Sequence, residues 1–166
     1  MAALGFPSFR GTSILFLQVQ VGFGLPLLAD DRIEAILRDA WLEAAINDRW
    51  FVGAYWIRPE WAGFFASRDP GAIAAGPWIR QWKAATTARI NALTNGQGDV
   101  WEDLDALGRP VTSEADYELR LAAMQEEMAA GALAAVPGFS RSGLLWQLVP
   151  GRARAGAMPA PRCLPT

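Results

Sequence analysis

Two apolar, aromatic-rich runs, WFVGAYWI at 50–57 and EWAGFFAS at 60–67, lie almost end to end and are broken by Arg58-Pro59. Proline cannot donate to a strand ladder, so the chain has to stop and turn there. The pair predicts a β-hairpin over 50–67. Upstream, SILFLQVQV at 13–21 is β-branched and aromatic and alternates in its second half, which predicts another strand. GFGLP at 22–26 is loop chemistry. Asp30 and Asp31 then open an apolar-periodic run through Ile33, Ile36, Leu37, Trp41, Ala44 and Ala45. Acidic residues suit the positive end of a helix dipole, so a helix is predicted over 30–48.

The second half reads in the same way. DPGAIAAGP at 69–77 is a loop, and PWIRQWKAATTARINAL at 77–93 is a helix with a first-turn proline and apolar positions at Ile79, Trp82, Ile90 and Leu93. TNGQGD ends it, and VWEDL at 100–104 is expected as a short strand. Ser113 opens a last helix running to about residue 130, with Asp116 in a capping-box position and Gly131 as the stop. LLWQLV at 144–149 is expected to dock on the sheet. Residues 1–150 read as one domain of 166 residues in all, and 151–166, rich in Arg, Pro, Ala and Gly, as a flexible tail. The order β-α-β-β-α, then a short strand and a helix, implies an α+β sandwich with helices packed on an antiparallel sheet.

Composition narrows the chemistry. The chain contains no histidine, the usual general base near neutral pH and the commonest metal ligand. Its single cysteine, Cys163, cannot build a zinc, haem or iron–sulfur site, and a serine or cysteine nucleophile lacks its usual partner. An enzyme here would have to run on carboxylates, lysine or tyrosine. A net charge of −2 and a pI near 5.2 count against a dedicated nucleic-acid binder. One cysteine, no bilayer-spanning apolar run and no leader-like start point to a cytoplasmic protein without a membrane partner.

The order of elements and several strings together resemble the REP-associated tyrosine transposases of the HUH single-strand DNA transposase superfamily. The resemblance covers about 10–150. GLPLLADDRIEAILRDAW resembles the family's passage from first strand to first helix, and YWIRPEWAGFF at 55–65 the hairpin that carries Met-Pro-Asn-His-x-His. IRQWKAATTARIN followed by VWED resembles the lysine-bearing helix, and TSEADYELRLAAMQEEMAAGAL the final helix with the catalytic tyrosine. The resemblance implies a ferredoxin-like sandwich of the HUH transposase type. It also implies single-stranded or hairpin DNA as partner, and a divalent cation such as Mg²⁺ with a tyrosine nucleophile for phosphodiester transesterification.

The departures fall on that chemistry. Pro59 matches the family's proline, but Trp61 and Gly63 stand at the two metal-binding histidines. Ungapped alignment from 112 puts Ala123 at the nucleophile and Met128 at the family's proline. The other tyrosine candidates are Tyr55, in the hairpin, and Tyr117, six residues before Ala123 and off its helical face. No catalytic residue, metal site or cofactor is therefore expected. The expected function is a catalytically degenerate transposase-like protein that retains DNA binding.

Each residue also has a plainer reading. Trp61 and Gly63 line a remodelled DNA groove, or an apolar ring fills a vacated site by packing. Arg80, Lys83 and Thr87, opposite Ile79 and Trp82, are the nucleic-acid-binding candidates, with an ordinary solvated face as the alternative. Arg89 lies nearer the apolar side and is read as snorkelling. Glu60, Glu102, Asp103, Asp105, Glu126 and Glu127 provide carboxylates for a relocated Mg²⁺ site, or solvated charge. Arg152, Arg154 and Arg162 give the tail a basic character. Against DNA binding stand a repurposed protein-interaction subunit or homodimer, docking through a tryptophan-rich surface or open sheet edge, and an enzyme with that relocated metal site.

Overall fold

A computed structural model describes residues 14–102, 108–131 and 141–145. These contain strands β1 (Leu15–Gln20), β2 (Trp50–Ile57), β3 (Trp61–Arg68), β4 (Arg109–Pro110) and β5 (Arg141–Leu144). The helices are α1 (Asp31–Asn47), α2 (Ala75–Thr94) and α3 (Glu114–Gly131). The sheet is antiparallel throughout, in the order β4-β1-β3-β2-β5. The fold is an α+β, ferredoxin-like sandwich.

The predicted hairpin is the centre of the sheet. Arg58 N–H donates to the Trp61 carbonyl at 2.8 Å and closes the turn that Pro59 dictates. β3 lies between β1 and β2 and has seven of its eight residues buried. Its even positions, Ala62, Phe64 and Ala66, join Leu17 and Val19 of β1 and the following Val21 in the core under α1 and α2. Its odd positions, Trp61 and Phe65, join Phe16 of β1 and the preceding Ile14 under α3. The two faces of one strand thus serve two cores, as alternation along a strand requires.

β2 keeps both cores filled through a bulge. Val52 pairs with Ala66 but Tyr55 with Phe64, so β2 carries one extra residue between them. The parity of the strand reverses there. Trp50 and Val52 point to the α1–α2 side before the bulge, and Tyr55 and Ile57 point to that side after it, while Ala54 and Trp56 face α3.

The helices begin where the sequence says. The Asp30 carboxylate accepts from Arg32 N–H at 2.9 Å, an N-cap, and the same carboxylate pairs with the Arg32 guanidinium, which holds its pKa down at about 2. The Ser113 hydroxyl accepts from Asp116 N–H at 2.9 Å, and the Asp116 carboxylate reaches back to Thr112 N–H at 2.8 Å. This is the expected box, shifted by one residue on its return arm. Asn95, in the left-handed region at φ 53°, ends α2. α1 and α2 pack their tryptophans into one cluster. Trp41 stacks on Trp82 with centroids 5.7 Å apart, and Trp50 on Trp78 at 4.3 Å. Arg89 does not snorkel as expected. It pairs with Glu43 of α1 across the exposed helix seam, a contact worth little in solvent.

One expectation needs correction. VWEDL is not a strand over its described part: Trp101 makes an isolated bridge to Val21, and 103–104 lie outside the described residues. Trp101 is instead fixed from α2, donating its indole N–H to the Thr86 hydroxyl at 2.9 Å. LLWQLV contributes Leu144 to β5 and Leu145, whose N–H donates to the Gly53 carbonyl at 3.1 Å; its remainder, and the expected tail over 151–166, lie outside the described residues. Among the described residues no helix is long and apolar enough to cross a membrane.

β5 reaches the β2 edge only because residue 143 is glycine. Gly143 pairs with Tyr55, and the Tyr55 ring and hydroxyl occupy the space a Cβ at 143 would need. Gly143→Ala should cost about 1–3 kcal/mol by overpacking, read as a lower urea midpoint at unchanged slope. Tyr55 also makes stability pH-dependent. Burial pushes its phenol up to about 12, and its hydroxyl donates to the Glu34 carboxylate at 3.1 Å. The neutral phenol is favoured in the fold. Its contribution is therefore complete below the ordinary value near 10 and is lost as pH rises from there through about 12. Urea midpoints should fall across that window in the wild type and hold level in Tyr55→Phe.

Candidate nucleic-acid interface

β3 and α3 bring the positions singled out in the sequence to one face of the sheet. Trp61, Gly63 and Phe65 alternate along β3 toward α3. α3 runs antiparallel to β3: Tyr117 lies against Phe65, with centroids 4.5 Å apart, and Met124 lies over Gly63. Farther on, the Arg58 guanidinium reaches the Glu127 carbonyl at 3.4 Å, where the negative end of the helix dipole attracts a cation.

The face between them is apolar. Trp61 is 8% exposed and packs with Phe65, Trp56, Met124 and Met128 in one cluster. A Cβ at Gly63 would lie 3.0 Å from the Trp61 ring, 3.4 Å from Phe16 and 3.6 Å from Met124. The indole therefore leans over the very place where a side chain at 63 would begin. Neither Trp61 nor Gly63 offers a side-chain atom that binds a cation, so these residues do not fit the family's divalent metal. Glu60 is half-buried and Glu126 and Glu127 are exposed. Among the described residues no three His, Cys, Asp or Glu converge on a point that would hold an ion.

Tyr117 and Ala123 lie on different faces of α3, as expected. Ala123 is exposed and looks away from the sheet. The row that faces the sheet is Tyr117, Leu121, Met124 and Met128, spaced by four, three and four residues as a helix face requires. The residue over Gly63 is thus Met124, not Ala123. Tyr117 does share the sheet-facing row, but two turns from Met124, about 10 Å along the axis. Its ring is buried against Phe65. Tyr55 lies on the opposite face of the sheet, under α1, with its phenol held neutral.

Two residues that the sequence reading passed over line the open part of this face. Gln18 and Gln20 of β1 pair with Gly63 and Trp61 of β3 and are exposed. The QVQV alternation was the signal: once Val19 is core, both glutamines must face the other way.

On the α1–α2 side, Arg80 is exposed, while Lys83 and Thr87 are half-buried on the same helix. Lys83, the chain's only lysine, donates Nζ to the Glu102 carbonyl at 2.8 Å. Glu102 N–H in turn donates to the Gln20 carbonyl at 2.8 Å, so Lys83 straps residues 100–102 to the end of β1. The three candidates share a helix but not one role.

No family model matches this sequence, and no curated protein matches it. Solved structures that share its architecture include two transposases. One is a REP-associated tyrosine transposase bound to a REP hairpin, at a TM-score of 0.60 and 15% identity over 77% of this chain and 75% of that one. The other is a Deinococcus radiodurans R1 protein named as a transposase, at a TM-score of 0.50 and 12% identity over 70% of this chain and 90% of that one. At such identity the likeness is one of fold. The chain has the sheet and helix arrangement of these transposases.

Proposed function

We propose that this chain is a transposase-like DNA-binding protein that holds hairpin or single-stranded DNA without cutting it. The observation that carries this reading is the pairing of the fold with the filled face. The architecture is shared with a transposase bound to a hairpin. At the positions where the resemblance calls for imidazoles stand Trp61 and a Gly63 whose side-chain space the indole occupies. Phosphodiester transesterification needs an electrophilic cation on the phosphate and a phenolate in line with it. The groups against Gly63 are indole, thioether and phenyl, and the Tyr117 phenol is two helix turns away, buried against Phe65. Arg80 and Lys83 of α2 supply positive charge for a phosphate backbone, with Thr87 as a hydrogen-bonding neighbour.

A second reading has its own observation. Leu42 and Ile46, one turn apart on α1, are both exposed, the latter at 68%. They give a protein partner an apolar foothold on a helix that the sheet does not cover.

Fluorescence anisotropy separates the two. A labelled hairpin should bind with a salt-dependent affinity and prefer its own shape over a scrambled strand. Denaturing gels should show no cleavage with Mg²⁺. Loss of binding even at low salt would overturn the DNA reading in favour of a protein partner, and cleavage would overturn the silent site. Arg80→Ala should lower the salt slope by about one at unchanged melting temperature. Lys83→Ala should lower both the slope and the melting temperature, because the strap to Glu102 is lost as well.

A further inference from the structure

The turn after β1 carries a residue that the fold does not use. Phe23 is 99% exposed, the most exposed large apolar residue described. Its backbone sits at φ 59° and ψ 17°, the left-handed region that a bulky residue enters at a cost. Packing does not offset that cost, because the ring is in water. Open space surrounds it: a Cβ at the neighbouring Gly24 would meet nothing within 4 Å.

The turn is nevertheless rigidly held. Gly22 N–H donates to the Val100 carbonyl at 2.9 Å, Val21 N–H to Glu60 at 2.8 Å and Leu28 N–H to Pro59 at 2.9 Å. Val21 and Leu28 are buried on either side. Residues 21–28 are thereby pinned to two segments at once. One is the 100–102 segment that Lys83 straps, and the other is the Pro59–Glu60 turn beside Trp61 and Arg58. The exposed glutamine row ends at Gln20, three residues before Phe23.

We propose that Phe23 is a stacking platform for one unpaired base of a bound strand. This rests on the DNA-binding reading above and names the part of the DNA that the turn would take. A single ring with Leu25 beside it is far smaller than the roughly 800 Å² per partner of a stable protein interface. It is enough for one base, because stacking needs one aromatic face and no sequence. The backbone that carries the ring is held by these hydrogen bonds, so the strand does not have to order the turn on binding. Arg58, at the Pro59–Glu60 turn, and Lys83, bonded from α2 to the 100–102 segment, supply cations for the flanking phosphates.

The test uses the full chain and a fluorescein-labelled DNA hairpin with a single-stranded extension, with abasic sites walked along the extension. In the wild type one abasic position should weaken binding about tenfold. Phe23→Asn, which tolerates the left-handed turn, should bind the intact strand about tenfold more weakly and be indifferent to that same abasic position. Its melting temperature should not fall, and Phe23→Trp should keep the affinity. Equal affinity of Phe23→Asn and wild type would overturn the stacking role while leaving DNA binding intact. Failure of the wild type to bind any strand would overturn the DNA reading and this inference with it. Self-association of the wild type that Phe23→Asn abolishes would overturn it in favour of a protein contact.

Discussion

The structure depends on β3 being buried on both faces. A strand with solvent on one side needs one set of apolar residues; this one needs two, and Trp61, Ala62, Phe64, Phe65 and Ala66 supply them in an almost unbroken run. Its neighbours must match both sets. β1 does so by plain alternation, Leu17 and Val19 to one side, Phe16 to the other. β2 cannot, because aromatic residues at Trp50, Tyr55 and Trp56 do not share a parity. The extra residue between Val52 and Tyr55 solves this and lets Tyr55 and Trp50 enter the same core. Without the bulge, either Tyr55 or Trp50 would turn toward α3.

The same constraint sets the two chemistries of the sheet. On the α1–α2 side, residues are locked by stacked tryptophans and by the chain of hydrogen bonds from Lys83 through Glu102 to Gln20. On the other side, one helix covers the sheet only in part. α3 closes over Phe65 and Gly63 with Tyr117 and Met124, and Gln18 and Gln20 remain in solvent. That polar strip, bordered by Trp61, is left in solvent on the face opposite Arg80 and Lys83. The acidic balance of the whole chain does not decide against the proposed DNA binding, because net charge does not describe a local surface.

Much of the fold was legible because its signals are local. Pro59 marks the hairpin turn, Asp30 and Ser113 carry the cap chemistry, and the apolar spacing of α1 and α2 matches a helix face. Trp101 was not legible. Its run looks like a strand, but a hydrogen bond to Thr86, fifteen residues back, holds it on a helix instead. The bulge was half-legible: a glycine inside a strand pattern, Gly53, is its usual mark. For the candidate site, the residue of α3 that lies over Gly63 is Met124, next to Ala123 in sequence. The helix period marks that side: Tyr117, Met124 and Met128 form the apolar row, and Ala123 is off it. Phe23 was invisible, because its importance lies in an exposure and a backbone angle that sequence does not encode.

Trp61 and Gly63 are best understood as one feature rather than two. The indole rests 3.0 Å from where a Cβ at 63 would begin, closer than nearly all real contacts of that kind. With Met124 and Phe16 on the remaining sides, a side chain at 63 has no direction in which to grow while the indole stays. Conversely, removing the indole alone would leave a cavity between Phe65 and Met124, at a cost of roughly 3–5 kcal/mol for a buried tryptophan. Each residue therefore holds the other in place. On the proposed reading, a face of this kind does not drift back toward metal binding by single steps, because each first step either clashes or opens a void. The strand carries one aromatic ring and the glycine that makes room for it. What the ring stabilises is the contact between β3 and α3, the contact on which the position of the exposed glutamine strip depends.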